Sequence, residues 1–142
     1  MIEFALGSFV LMGALTGTFQ FGYTFYVYNN LVTAVNNGAK YASLRSYEMT
    51  SSTPSPCFKT AVQDMVAYGD PTGTNTTPVA PSLTPSDVSL AVTFTNGVPS
   101  AMTVGISSYT IYSVFASTSL SNKPIVTYPY LGPYSPTDSC TQ

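Results

Sequence analysis

Hydrophobic positions run almost unbroken over residues 4–28, then thin to a stripe spaced by three and four, and beyond residue 87 alternate with polar ones. The first regime holds no charge between Glu3 and Lys40 and no proline, but includes Gly7, Gly13, Gly17, Gly22 and Gly38. About 25 uncharged residues suffice to cross a bilayer as a helix. In the second regime Leu31, Ala34, Val35, Gly38, Ala42 and Leu44 form one apolar stripe at helical spacing. Lys40 and Arg45 near its end suit the negative pole of a helix. The Thr-Ser-Ser-Thr-Pro-Ser-Pro run at residues 50–56 stops it. One helix is therefore expected over residues 1–47, roughly 65 to 70 Å long at 1.5 Å per residue. The remaining ~95 residues, one small domain by size, cannot cover such a rod. Something else must.

After a linker at 48–56, residues 58–68 predict a short helix. Phe58, Ala61, Val62, Met65 and Val66 lie on one face, Lys59, Gln63 and Asp64 opposite, with Gly69 as the stop and Pro71 beyond. Residues 72–85 form a polar, proline-rich loop. Val88, Leu90, Val92 and Phe94 then alternate with polar or small residues, Asn96-Gly97 marks a tight turn, and Met102, Val104 and Ile106 resume the alternation. These features predict a β-hairpin. Residues 109–115 either extend its second strand or add an element, and 124–130 suggest an edge strand limited by prolines. The tail at 131–142 reads as irregular. The expected class is α+β: a long N-terminal apolar helix (1–47), the linker (48–56), and a small antiparallel sheet domain with one short helix (57–142).

Composition narrows the chemistry. Only 7% of the 142 residues are charged, the net charge is −2 and no basic cluster exists, which argues against nucleic acid as a specific partner. Without histidine there is neither a Ser-His-Asp triad nor an imidazole base. Asp64, Asp70, Asp87 and Asp138 are scattered, and phosphate-binding glycine patterns are absent. No enzyme activity, metal or cofactor is expected. Cys57 and Cys140 either close a loop of about 84 residues, worth ~4 kcal/mol in the chain-entropy model, or are free thiols in a reducing compartment. The exported setting implied by the apolar segment favours the disulfide. Asn75-Thr76-Thr77 matches the glycosylation acceptor pattern, against the plainer reading of an unmodified loop. Met1-Ile2-Glu3 is too short for a basic signal region and no cleavage site follows the apolar run. The expectation is a mature chain whose leader has been removed, or one whose basic flank is not recorded.

Glu3-Phe4-Ala5-Leu6 opens the helix, and Phe21-Gly22-Tyr23, Tyr28-Asn29, Ala34-Val35, Gly38-Ala39 and Tyr41-Ala42 follow. This pattern, over residues 3–47, resembles the TadE-like pilins and pseudopilins of the tight-adherence branch of the type IV pilus superfamily. The resemblance implies a type IV pilin-like fold and a precursor cut by a prepilin peptidase. It also implies a stay in the inner membrane and handling by a pilus assembly machine. In type IV pilins the glutamate near the mature N-terminus pairs with the N-terminal amine of a neighbouring subunit. Glu3 would take that role, although it stands third here and the family's glutamate is usually fifth.

The residues expected to carry assembly are Glu3, Phe4, Gly13, Gly17, Phe21, Tyr23 and Tyr28. A carboxylate in apolar surroundings is costly unless paired, so Glu3 either meets a neighbour's amine or lies at an exposed helix start. Gly13 and Gly17 have the spacing that lets helix backbones approach. The aromatic side chains suit a membrane interface or packing between helices. The leading expectation is a structural subunit of an extracellular Tad-like filament, with copies of itself as partners and only a transient stay in the membrane. One alternative is a minor TadE-like pseudopilin anchored in the inner membrane. Another is an adhesin or glycan-binding domain on a membrane stalk, using the 72–85 loop and Tyr109, Tyr112, Tyr128, Tyr130 and Tyr134.

Overall fold

The computed structural model describes residues 2–113 and 116–135. Helix α1 spans Ile2–Leu44 and helix α2 Pro56–Tyr68, followed by a 3-10 turn at Pro85–Asp87. The strands are β1 (Val88–Thr95), β2 (Val98–Ile106), β3 (Ser108–Tyr112), β4 (Ser117–Ser121) and β5 (Ile125–Pro129). β1, β2 and β5 form an antiparallel sheet in that order, and β3 pairs with β4 in a separate two-stranded ribbon. The α+β, pilin-like arrangement expected from the sequence is present.

α1 has two halves with different surroundings. From Val27 onward, Leu31, Ala34, Val35, Gly38, Ala39, Ala42 and Ser43 are buried against α2, β2 and β5. Small residues here bring the backbones close. A Cβ on Gly38 would lie 2.2 Å from Val66 Cγ2, so α1 and α2 touch at a point where no side chain fits. Leu44, expected on this stripe, is instead 63% exposed.

The helix also ends at Leu44 rather than running to Tyr47, and the reason lies far along the chain. The Ser43 carbonyl accepts from the backbone N–H of both Leu131 and Gly132, each at 2.9 Å. Tyr130 Oη donates to the Arg45 carbonyl at 2.9 Å. Terminal carbonyls of a helix need such partners. Gly132 sits so close that a Cβ would meet the Arg45 and Leu44 carbonyls at 2.4 and 2.9 Å. Tyr47 turns inward to full burial and bridges Tyr134 in parallel. Its ring meets those of Phe58, Phe94 and Tyr130 at 5.3, 5.7 and 6.3 Å, and its hydroxyl donates to the Ser51 carbonyl at 2.7 Å.

Local chemistry explains α2. Ser55 caps it by accepting from the Phe58 N–H, Pro56 occupies the first turn, and Gly69 (φ 71) closes it with an N–H to the Met65 carbonyl. Proline is tolerated in a first turn because no intrahelical donor is lost there, so α2 begins within the residues expected to be linker. Ala67 is buried along with Phe58, Ala61, Val62 and Val66, whereas Met65 is only half-buried.

The β1–β2 hairpin turns at Asn96 (φ 53) and Gly97 (φ 77), the left-handed pair a two-residue I′ turn demands. Ser100 is the extra residue of a bulge opposite Thr93 and Phe94, and its hydroxyl donates to the Thr93 carbonyl at 3.0 Å. β5 is an edge strand, as its prolines require. Residues 109–112 form β3 as a new element rather than extending β2. Tyr109 and Ile111 are buried and Tyr112 is exposed.

Candidate functional site

The surface that the fold leaves unanswered is the first half of α1. Three hydroxyls within this apolar stretch satisfy themselves: those of Ser8, Thr18 and Thr24 donate to the carbonyls of Phe4, Ala14 and Gln20, at 2.8, 2.9 and 2.9 Å. Back-bonding of this kind leaves no hydroxyl donor demanding water, which suits a helix destined for apolar surroundings. Large side chains stand out all round, with Phe4 83% and Phe9 80% exposed, and Leu11, Phe19, Phe21 and Phe25 also exposed. Phe21 and Phe25 stack on one another with centroids 6.4 Å apart. α1 is long and apolar enough to cross a membrane, and none of its most apolar 18-residue window is buried by the rest of the chain.

Of the residues expected to carry assembly, Glu3, Phe4, Gly13, Gly17 and Phe21 all lie on this uncovered half. A Cβ at Gly7, Gly13, Gly17 or Gly22 would meet nothing within 4 Å. These glycines serve no contact inside the subunit, in contrast to Gly38. Tyr23, itself exposed, and Tyr28 lie at the border of this half. Tyr28 is half-buried, and Tyr23 lies close enough to the domain that, after burial itself, it is the next cause raising the Tyr109 pKa. Tyr109 donates a hydroxyl hydrogen bond to the Pro81 carbonyl.

Cys57 lies in the first turn of α2 and is not a free thiol; Cys140 lies outside the described residues. Asn75 sits in a loop organised by Asp70. The Asp70 carboxylate accepts from Thr72 N–H at 3.0 Å and Thr72 Oγ1 at 2.7 Å, and from Thr74 Oγ1 and Asn75 N–H at 2.5 and 3.0 Å. The Thr74 and Thr72 bonds hold the Asp70 carboxyl well below the usual range. Asn75 Nδ2, the atom a glycan would use, donates to the Tyr68 carbonyl at 3.1 Å.

A cleft of about 470 Å³ lies between the end of α1 and α2, bordered by Tyr41, Arg45, Cys57, Thr60, Asp64 and Thr72 among others. Arg45 bonds the Tyr41 hydroxyl and lies over its ring. Burial and then Asp70 push the Asp64 carboxyl up. No local pattern signals this cleft, because its walls come from residues scattered along the chain. Among the described residues no three His, Cys, Asp or Glu side chains come together to hold a metal.

The uncovered helix is also where the chain matches known proteins. Residues 1–40 match the family model described as TadE-like protein. Over these residues the N-terminal helix is similar to the TadE-like family. No curated protein and no solved structure matches the chain. The TadE-like segment coincides with the exposed half of α1 and the first part of its packed half, and it stops before α2 and the sheets. The likeness is confined to this segment, whose helix is long and apolar enough to cross a membrane.

Proposed function

We propose that this chain is a structural subunit of a Tad-like extracellular filament, polymerising through α1 with the sheet domain facing outward. The observation that carries the reading is the division of one continuous helix. Residues 27–43 supply the domain's own core, while the stretch before them, the first part of the TadE-like match, is apolar all round and its most apolar 18-residue window is not buried by the rest of the chain. In a bilayer lipid covers it; in a filament the same stretch of other copies does. Removing that much apolar surface from contact with water stabilises a polymer at ~25 cal/mol per Å² before the entropy of association is subtracted. Glu3 is then the single carboxylate that assembly must neutralise. The reading assigns no catalytic role, no cofactor and no nucleic acid partner. It includes the Cys57–Cys140 disulfide as a tie across the outer domain.

Electron microscopy and protein identification of sheared surface fibres test it. Uniform fibres built mainly of this chain are the expected result. Trace amounts in fibres made of another pilin would overturn it in favour of a minor, membrane-anchored pseudopilin.

A further inference from the structure

Helix α1 carries two charges in its 43 residues, Glu3 near one end and Lys40 near the other. Lys40 lies within the half that packs on the domain, yet it is exposed, with the buried Gly38, Ala39, Ala42 and Ser43 on either side of it. By helical periodicity it shares the face turned from the domain with Tyr26, Asn29, Thr33, Asn37 and Leu44, all exposed. If the domain faces outward, this face turns toward the axis, where the apolar halves of other copies pass. An ammonium left unpaired there is as costly as an unpaired Glu3. Each copy brings one of each sign.

We propose that Lys40 of one copy is the cation that answers Glu3 of a second copy. The proposal rests on the filament reading and adds the contact that sets its register. Within one straight helix the two residues are about 55 Å apart at 1.5 Å per residue, so they cannot pair inside a subunit. Between subunits the pair fixes an axial offset of that size between the two copies, and it neutralises the helix charge along the fibre without any residue from the outer domain. The polar side chains around Lys40, Asn37 and Thr33 among them, can accept or donate the hydrogen bonds a buried ion pair still needs.

The test is a charge swap scored by the yield of sheared fibres. Cells making the wild-type chain, Lys40→Glu, Lys40→Gln, Glu3→Lys and the double Glu3→Lys/Lys40→Glu are compared, with N-terminal sequencing and protease resistance confirming equal processing and folding. Lys40→Glu is expected to lower fibre yield about tenfold or more, the scale of breaking one buried pair. Lys40→Gln is expected to lower it less, and the double variant to recover fibres that neither single reversal makes. Lys40→Glu and Lys40→Gln fibres at wild-type yield overturn the pairing alone and leave an N-terminal amine as the partner of Glu3. A folded, processed double variant no better than the single ones also overturns it. Wild-type fibres that lack this chain overturn the filament reading and the pairing together.

Discussion

Gly38→Ala gives a direct measure of how tightly the helix is seated on the domain. The new methyl would lie 2.2 Å from Val66 Cγ2 and 3.5 Å from Val66 Cβ, where carbon atoms normally rest at about 3.5 to 4.0 Å. Val66 is fully buried and, being β-branched in a helix, has one strongly preferred rotamer. It cannot swing away cheaply. Overpacking of this kind costs about 1 to 3 kcal/mol, while replacing glycine by alanine inside a helix returns ~0.8 to 1.0 kcal/mol. The net expectation is a loss of about 1 kcal/mol. In a Val66→Ala background the obstructing methyl is gone and the same substitution becomes stabilising, so a double-mutant cycle should show a coupling of ~1 kcal/mol or more. Urea unfolding of the full chain in detergent micelles, followed by near-ultraviolet dichroism of the tyrosines, reads this out. A coupling within about 0.5 kcal/mol of zero, or a Gly38→Ala protein more stable than wild type, would refute the reasoning.

The same change at Gly13 or Gly17, where a Cβ meets nothing, is expected to leave domain stability unchanged while reducing fibre yield, measured on sheared preparations. Tyr47→Phe loses the bond to the Ser51 carbonyl and is expected to cost ~0.5 to 1.5 kcal/mol at neutral pH. Burial, with Tyr134 and Tyr130, pushes the Tyr47 pKa up to about 12 from 10.0. The contribution of its neutral phenol is therefore complete below pH 10 and lost as pH rises toward about 12, and the gap to Tyr47→Phe should narrow over that window. Asp70 works in the opposite direction. Its depressed carboxyl stabilises the loop above its unfolded value of 3.8 and ceases to do so as pH falls below that value toward its folded one. Asp70→Asn should speed hydrogen exchange at Thr72 and Asn75 at pH 7 and remove this acid dependence. Non-reducing peptide mapping of the purified chain should find Cys57 joined to Cys140, and Cys57→Ser should lower the unfolding midpoint.

What could be read from the sequence was whatever local pattern determines. The apolar run of α1, the buried Leu31, Val35 and Ala42, the Gly69 stop and the Asn96-Gly97 turn all follow from period, cap or turn chemistry within a few residues. What escaped depends on distant partners. α1 ends at Leu44 because Leu131 and Gly132 reach back to cap Ser43, and nothing near Leu44 signals this. β4, Ser-Thr-Ser-Leu-Ser, lacks alternation because four of its five residues are exposed and its pairing with β3 is to one side only. Ser55 and Pro56 looked like linker because a helix start and a helix stop draw on the same residue types. Among the residues expected to carry assembly, Tyr23 is 40% exposed and Tyr28 half-buried. Those two tyrosines mark where the domain begins to lean on the helix.

The capping of α1 by residues near 131 has a consequence for the order of events during export. Tyr130 reaches Arg45 across 85 positions of chain, and the Tyr47–Tyr134 bridge spans a similar distance. Contacts of such long sequence separation form late and slowly, because the intervening loop must close before they return any energy. The apolar half of α1 is thus synthesised while the domain that will sit on its other half is still an open chain. The apolar half-helix is made before the domain folds, and the carbonyls at the end of α1 are capped only when the chain beyond β5 has returned to them. A chain stalled short of Gly132 would keep its apolar half-helix but leave the end of α1 uncapped, so the closure itself distinguishes finished chains from unfinished ones.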